Sequence, residues 1–147
     1  MNVPISALLQ RKGAVVHSVA PHLSIYDAVA EMNRLRIGAI VILDDGRLAG
    51  IFTERDALRR VLGAGIDPKA VRVSEVMTSD VITVAPEATV EEVAQMFTDK
   101  RCRHLPVVSG DRLVGLISIG DISRWVADHH RAEAEYLKNY IAGGLHS

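Results

Sequence analysis

The sequence predicts a mixed α/β (α+β) fold: two pseudo-symmetric β-α-β-β-α repeats forming one compact module, with a helical tail at the C-terminus. Three observations carry that expectation. The phrase GIFTERD at residues 50–56 returns as GLISIGD at 115–121, a displacement of 65 positions (115 − 50). The same displacement, without a gap, lays Ser18-Val19-Ala20-Pro21 on Thr83-Val84-Ala85-Pro86, Arg36 on Arg101, Arg47-Leu48 on Arg112-Leu113 and Asp56 on Asp121. Each copy also alternates short apolar runs with an apolar stripe at helical spacing. Two copies are too few for a stacked solenoid and point to a face-to-face pair.

The elements follow in order. Residues 1–14 form a lead-in, in which Ile5-Ser6 resembles Val73-Ser74 at a displacement of 68 (74 − 6), so the first copy carries three extra residues near Gln10 to Gly13. The first repeat, 15–66, opens with an apolar strand over Val15 to Val19. A helix follows with Ile25, Ala28, Val29, Met32 and Leu35 on one face. Strands over Ala39 to Leu43 and Arg47 to Phe52 turn at Asp45-Gly46, a hairpin dipeptide. A second helix begins near Thr53 and ends at Gly63-Ala64-Gly65, with Pro68 beyond. The second repeat, 67–127, repeats this plan. Its parts are a strand over Val81 to Val84, a helix with Val90, Val93, Ala94 and Phe97, strands over Leu105 to Val108 and Arg112 to Ile117 around Gly110-Asp111, and a helix from Ser118. That helix is expected to run on into a tail, 128–147, with Tyr136, Leu137, Tyr140 and Ile141 on an amphipathic face.

Composition narrows the function classes. Of the 147 residues 48% are hydrophobic and the net charge is −1, so a real core is expected and a general nucleic-acid or acidic-membrane binder is not. The single cysteine, Cys102, allows no intramolecular disulfide and suits a reducing compartment. The N-terminus has no apolar run of signal-peptide length, and the stretch Ile37 to Leu43 is far short of the roughly 20 residues that cross a bilayer. The expectation is a soluble, cytoplasmic, stand-alone module with no membrane or nucleic-acid partner.

The repeated phrase supports two readings. Thr53-x-x-Asp56 and Ser118-x-x-Asp121 fit helix capping boxes, as do Ser24-x-x-Asp27 and Thr89-x-x-Glu92, and a cap is worth about 1 kcal/mol. The same residues sit where a strand runs into a helix N-terminus. There, free amides favour a phosphate, and a carboxylate can accept the hydroxyls of a ribose. Gly50 and Gly115, inside strand patterns, indicate either a close backbone approach or a bulge.

The order of elements, the Thr-Val-x-Pro lead, the His104-Leu-Pro-Val-Val108 strand and the closing Gly-x-x-Ser-x-x-Asp together resemble a tandem pair of cystathionine-β-synthase (CBS) domains over roughly residues 5–127. Copy two matches best; at Ala39-Ile40-Val41 copy one departs from the family's frequent polar-apolar-Pro pattern. The resemblance implies a regulatory module that holds an adenosine compound between the copies, with the repeated Asp on its ribose. By position, it implies one cleft made of Thr53, Arg55 and Asp56 with Val81, Ile82, Arg103, His104 and Pro106. It implies a second made of Ser118 and Asp121 with Val16, His17, Gly38 and Ala39. Arg55, Arg103 and His104 make the first cleft the cationic one, so it is expected to take a phosphorylated ligand and the second to be weaker or empty; the basic run 100–104 is otherwise a solvated edge. AMP leads, followed by ADP, ATP and NAD(H), with S-adenosylmethionine less favoured. A homodimer is also implied, with an unnamed protein as the regulated partner. The alternative is an interaction module whose clefts are vestigial.

No catalytic constellation stands out, so no enzyme activity is expected. Cys102 aligns with Ile37 and reads as a small buried hydrophobe rather than a nucleophile. His129 and His130 are adjacent on a helix and point apart, which argues against a metal site. Glu31, Glu54, Glu91 and Glu92 read as solvent-facing or capping residues.

Overall fold

The computed structural model describes residues 3–13 and 15–131. Helix α1 (Ile5–Lys12) leads into β1 (Ser18–Val19), α2 (Ile25–Leu35), β2 (Ala39–Asp44) and β3 (Arg47–Thr53). Helix α3 starts as one α-helical turn, Glu54–Asp56, and continues with π-helical winding over Ala57–Leu62. The second copy provides α4 (Val90–Lys100), β4 (His104–Ser109), β5 (Arg112–Ser118) and helix α5 over residues 119–131. The tail residues Tyr136, Leu137, Tyr140 and Ile141 lie outside the described residues.

The repeat is three-dimensional. Strand β1 runs parallel to β2, pairing Val19 with Ile42, and β2 is antiparallel to β3. In copy two β4 and β5 are antiparallel, and the counterpart of β1 shrinks to one parallel bridge, Val84 to Val107. The leading strands are thus shorter than expected: Val15 is 75% exposed, and Val81 and Ile82 leave the sheet to line a cleft. Corresponding residues share backbone conformation. Both first helices end on a left-handed arginine, Arg36 (φ 56°) and Arg101 (φ 52°), and both hairpins slip register at matching points, Ile42/Leu43 and Val107/Val108. Asp45 and Gly46 both take positive φ, as a type I′ turn requires, whereas among the turn residues of the second hairpin only Gly110 does.

Each core is completed by a segment from outside its own copy. The copy-one core of Ile25, Met32, Ile40, Ile42 and Phe52 is closed by Val73 and Val76, from the start of the second repeat. The copy-two core of Val90, Val93, Phe97, Leu105 and Ile117 is closed by Ile5, Leu8 and Leu9, which precede copy one. Matched hydrogen bonds fix both segments. The Ile5 amide donates to the Ala88 carbonyl (2.7 Å) as the Val73 amide does to Leu23 (2.8 Å), and Val90 donates to Val3 (2.8 Å) as Ile25 does to Val71 (3.0 Å). The sheets meet through β3 and β5.

The two strand glycines are explained by this cross-packing. A β-carbon at Gly115 would lie 2.4 Å from Leu9 Cδ2; one at Gly50 would lie 2.5 Å from Met77 Sδ and 2.8 Å from the Thr78 carbonyl oxygen. Leu9 and Met77 are themselves counterparts at a displacement of 68 (77 − 9). The bulges place an extra residue beside each glycine, so both readings of these positions hold together.

The Leu9–Gly115 contact has a measurable consequence. Leu9→Ala alone should cost about 2–5 kcal/mol and Gly115→Ala about 1–3 kcal/mol in urea unfolding. The double variant should be more stable than their sum by about 1 kcal/mol or more, because each relieves the other. Additive losses would show that the two residues do not share one space.

Candidate functional site

A cleft of about 550 Å³ opens between the two copies. Of the residues expected in the first cleft, Thr53, Arg55, Asp56, Val81, Ile82, Arg103 and His104 line it. Pro106 does not: it is buried in β4 opposite Leu116, and its carbonyl accepts the Val84 amide at 3.0 Å. The connector 78–82 forms one wall, the β3–α3 junction the floor, and the turn from α4 into β4 the other wall.

The floor is a capping box. The Thr53 amide donates to Asp56 Oδ2 (3.0 Å) and the Asp56 amide to Thr53 Oγ1 (3.2 Å). Asp56 is only 8% exposed, yet its Oδ1 has just a long contact of 3.6 Å with Arg60 Nε. It therefore caps the helix and keeps an acceptor available. The helix end itself offers little to an anion. The Glu54 amide donates to the Gly38 carbonyl (3.0 Å), and the Asp56 and Ala57 amides also have partners. The free-amide phosphate site expected from the strand-to-helix junction is thus largely occupied by the protein's own acceptors.

The positive charge comes from side chains. Arg55, Arg59, Arg101 and Arg103 line the cleft, and none has an ion-pair partner among the described residues. Arg59 was not singled out in the sequence, and Arg101 was read only as part of the basic run 100–104, not as a residue of the cleft. Arg59 lies within the π-helical winding, which no local pattern announces, and Arg101 reaches the cleft because α4 ends there in a left-handed turn. Glu54 and Asp80 also line the cleft, so it is mixed in charge. Burial, helped by the nearby Lys12 ammonium, pushes the His104 imidazole down from its ordinary value, so it stands in the wall as a neutral group at pH 7. Cys102 is half-buried beside it, and burial pushes its thiol up, which fits a packing role.

The residues expected in the second cleft are not gathered in the same way. Gly38 lines the first cleft, and Val16, His17, Ala39 and Ser118 line neither it nor the smaller recess around Asp121. Ser118 and Asp121 form a capping box, with the Ser118 amide 2.8 Å from Asp121 Oδ2 and the Asp121 amide 3.1 Å from Ser118 Oγ. Here, however, the carboxylate is taken on both oxygens. Lys12 Nζ donates to Oδ2 at 2.8 Å and Arg124 to Oδ1 at 2.6 Å. Burial alone would push the Asp121 carboxyl up; the Lys12 hydrogen bond and the Ser118 amide outweigh it and hold the group below its ordinary value.

Comparison with known proteins agrees with this architecture. The CBS domain family matches residues 13–63 and 73–128. The mitochondrial CBS domain-containing protein CBSX3 of Arabidopsis thaliana is 42% identical over 126 residues, which cover 82% of this chain and 61% of that protein. The chain thus spans about three-fifths of that relative's length. The crystal structure of a CBS domain, NE2398, superposes with a TM-score of 0.82 at 35% identity, covering 85% of this chain and 98% of the other. A crystal structure of Hypoxic Response Protein I with two coordinated zinc ions has a TM-score of 0.71 at 31% identity, covering 83% and 98%. Among the described residues of this chain, no group of three His, Cys, Asp or Glu side chains is placed to hold a metal, and no helix is long and apolar enough to cross a membrane. With both copies matched and the fold shared, this chain belongs to the CBS domain family, which it represents as a tandem pair.

Proposed function

We propose that the chain is a regulatory module that binds an adenine nucleotide in the cleft between its copies and passes occupancy on through dimer or partner geometry. The observation that carries this reading is the placement of Asp56. It is a buried carboxylate with an unsaturated oxygen, in a cleft shared with apolar Val81 and Ile82 and with four arginines that have no ion-pair partner among the described residues. The carboxylate suits the two hydroxyls of a ribose, the apolar connector suits an adenine face, and guanidinium forks suit phosphate. AMP leads, followed by ADP, ATP and NAD(H); the arginines make S-adenosylmethionine less favoured. In this reading the regulated partner is another protein, the protein acts in the cytoplasm, and catalysis lies elsewhere.

A second reading, an interaction module with unused clefts, is favoured by Leu58 and Leu62. They lie four residues apart on the π-helical part of α3 and are 62% and 72% exposed. A homodimer through this face is compatible with either reading.

Calorimetry separates them. Asp56→Ala should weaken AMP binding at least about tenfold, the loss of a charge-assisted hydrogen bond worth roughly 1.5–3 kcal/mol. Thr89→Ala, which loses a comparable helix cap away from the cleft, should leave affinity unchanged. Arg103→Ala should weaken AMP more than adenosine. An Asp56→Ala variant with wild-type affinity and stoichiometry would refute the assignment. For the second reading, Leu58→Asp with Leu62→Asp should halve the mass seen by light scattering if this face joins two copies.

A further inference from the structure

The two copies share a scaffold but differ in the cations that reach their aspartates, and one of these is tethered from outside the copy. Lys12 is the last residue of α1, a helix held in the copy-two core by Ile5, Leu8 and Leu9, with Leu9 filling the space above Gly115. From that fixed position its ammonium donates to the Leu116 carbonyl at 2.7 Å and to Asp121 Oδ2 at 2.8 Å. Lys12 falls among the three extra residues near Gln10 to Gly13 that copy two lacks, and Asp80, the connector residue that lines the first cleft, cannot donate to Asp56. The counterpart of Arg124 is Arg59 (124 − 65). Arg124 binds Asp121 three residues back on a regular helix, whereas in the π-wound α3 it is Arg60, not Arg59, that faces its carboxylate, at 3.6 Å.

Resting on the nucleotide reading of Asp56, we infer that Lys12 is a built-in occupant of the second cleft. With the Ser118 amide it saturates Asp121 Oδ2 while Arg124 takes Oδ1, so the carboxylate has no oxygen left for ribose hydroxyls and the protein is restricted to one nucleotide per chain. The geometry favours the tethered group. An ammonium on a rigid helix meets Asp121 without the loss of translational freedom that a free ligand bears. Its charge also makes the contact stronger than a neutral hydroxyl could. Asp56 meets no such ammonium and only a distant arginine, so the asymmetry between clefts comes from the leading segments and closing helices rather than from the repeated phrase itself.

The chain carries its own reporter. Its only tryptophan, Trp125, lines the recess with Lys12 and Asp121, under the guanidinium of Arg11 at 5.2 Å. AMP is titrated into wild type, Lys12→Met, Asp56→Ala and the Asp56→Ala/Lys12→Met double variant, with tryptophan fluorescence and calorimetric stoichiometry read together. Wild type should bind one AMP with Trp125 unmoved. Lys12→Met should gain a second saturable phase, at least tenfold tighter than any in wild type, that moves Trp125 fluorescence. The double variant should keep only that phase, and Asp56→Ala alone should lack it. If Lys12→Met does not fold by circular dichroism, Lys12→Gln, which keeps a donor for the Leu116 carbonyl, takes its place. A folded Lys12 variant with no second phase overturns the inference. So does a wild type that already shows a Trp125 response insensitive to Asp56→Ala. A wild type that binds no AMP refutes the reading of Asp56, while the Trp125 response of the Lys12 variant still decides the role of Lys12.

Discussion

The structure depends on an exchange of leading segments. Neither copy can close its core with its own residues: α1 covers copy two, and residues 73–77 cover copy one. Fully burying an aliphatic side chain is worth about 1.5–3 kcal/mol. The segments bury Ile5, Leu8 and Leu9 on one side and Val73 and Val76 on the other, so the exchange outweighs any single cap or ion pair in the molecule. Gly50 and Gly115 are its mark in the strands, since only a missing β-carbon lets a neighbouring segment come so close. The exchange also holds the copies face to face, which brings Asp56 of one into the same cleft as Arg103 and His104 of the other.

A symmetric scaffold then supports asymmetric chemistry. Both repeated phrases form the same cap, with the aspartate folded back on its own helix start. What differs is what the leading segments and closing helices bring to the carboxylate. Copy two receives a lysine and an arginine; copy one receives a distant arginine and, nearby, another carboxylate, Asp80. His104 links the two environments, for it lines the first cleft while feeling the charges of Lys12 and Asp121.

Much of this was legible in the residues. The ungapped displacement of 65 foretold matched elements and the caps at Thr53 and Ser118, and the structure adds matched bulges and left-handed arginines, because similar local sequence meets similar local forces. The capping reading of the repeated phrase and the ligand reading proved compatible at Asp56, where the cap leaves one oxygen over. Other features were not legible because they depend on packing rather than on local pattern. The leading strands dissolve at Val81-Ile82 because that segment follows the cleft instead of the sheet. Arg59 enters the cleft through π-helical winding, which has no sequence period of its own. The helix-end amides are taken by Gly38 and Thr53, a competition visible only in three dimensions. The Lys12–Asp121 contact joins residues 109 positions apart; the sequence placed Lys12 near the second cleft as a neighbouring charge, but not on the carboxylate itself.

The central claim is that a cleft incomplete in either copy becomes a nucleoside pocket where they face one another. A crystal structure grown with AMP tests it most directly. The account predicts one AMP per chain, with its ribose hydroxyls on Asp56, its base against Val81 and Ile82, and its phosphate among Arg55, Arg59, Arg101 and Arg103. An AMP bound away from Asp56, or a first cleft left empty at saturating AMP, would contradict it.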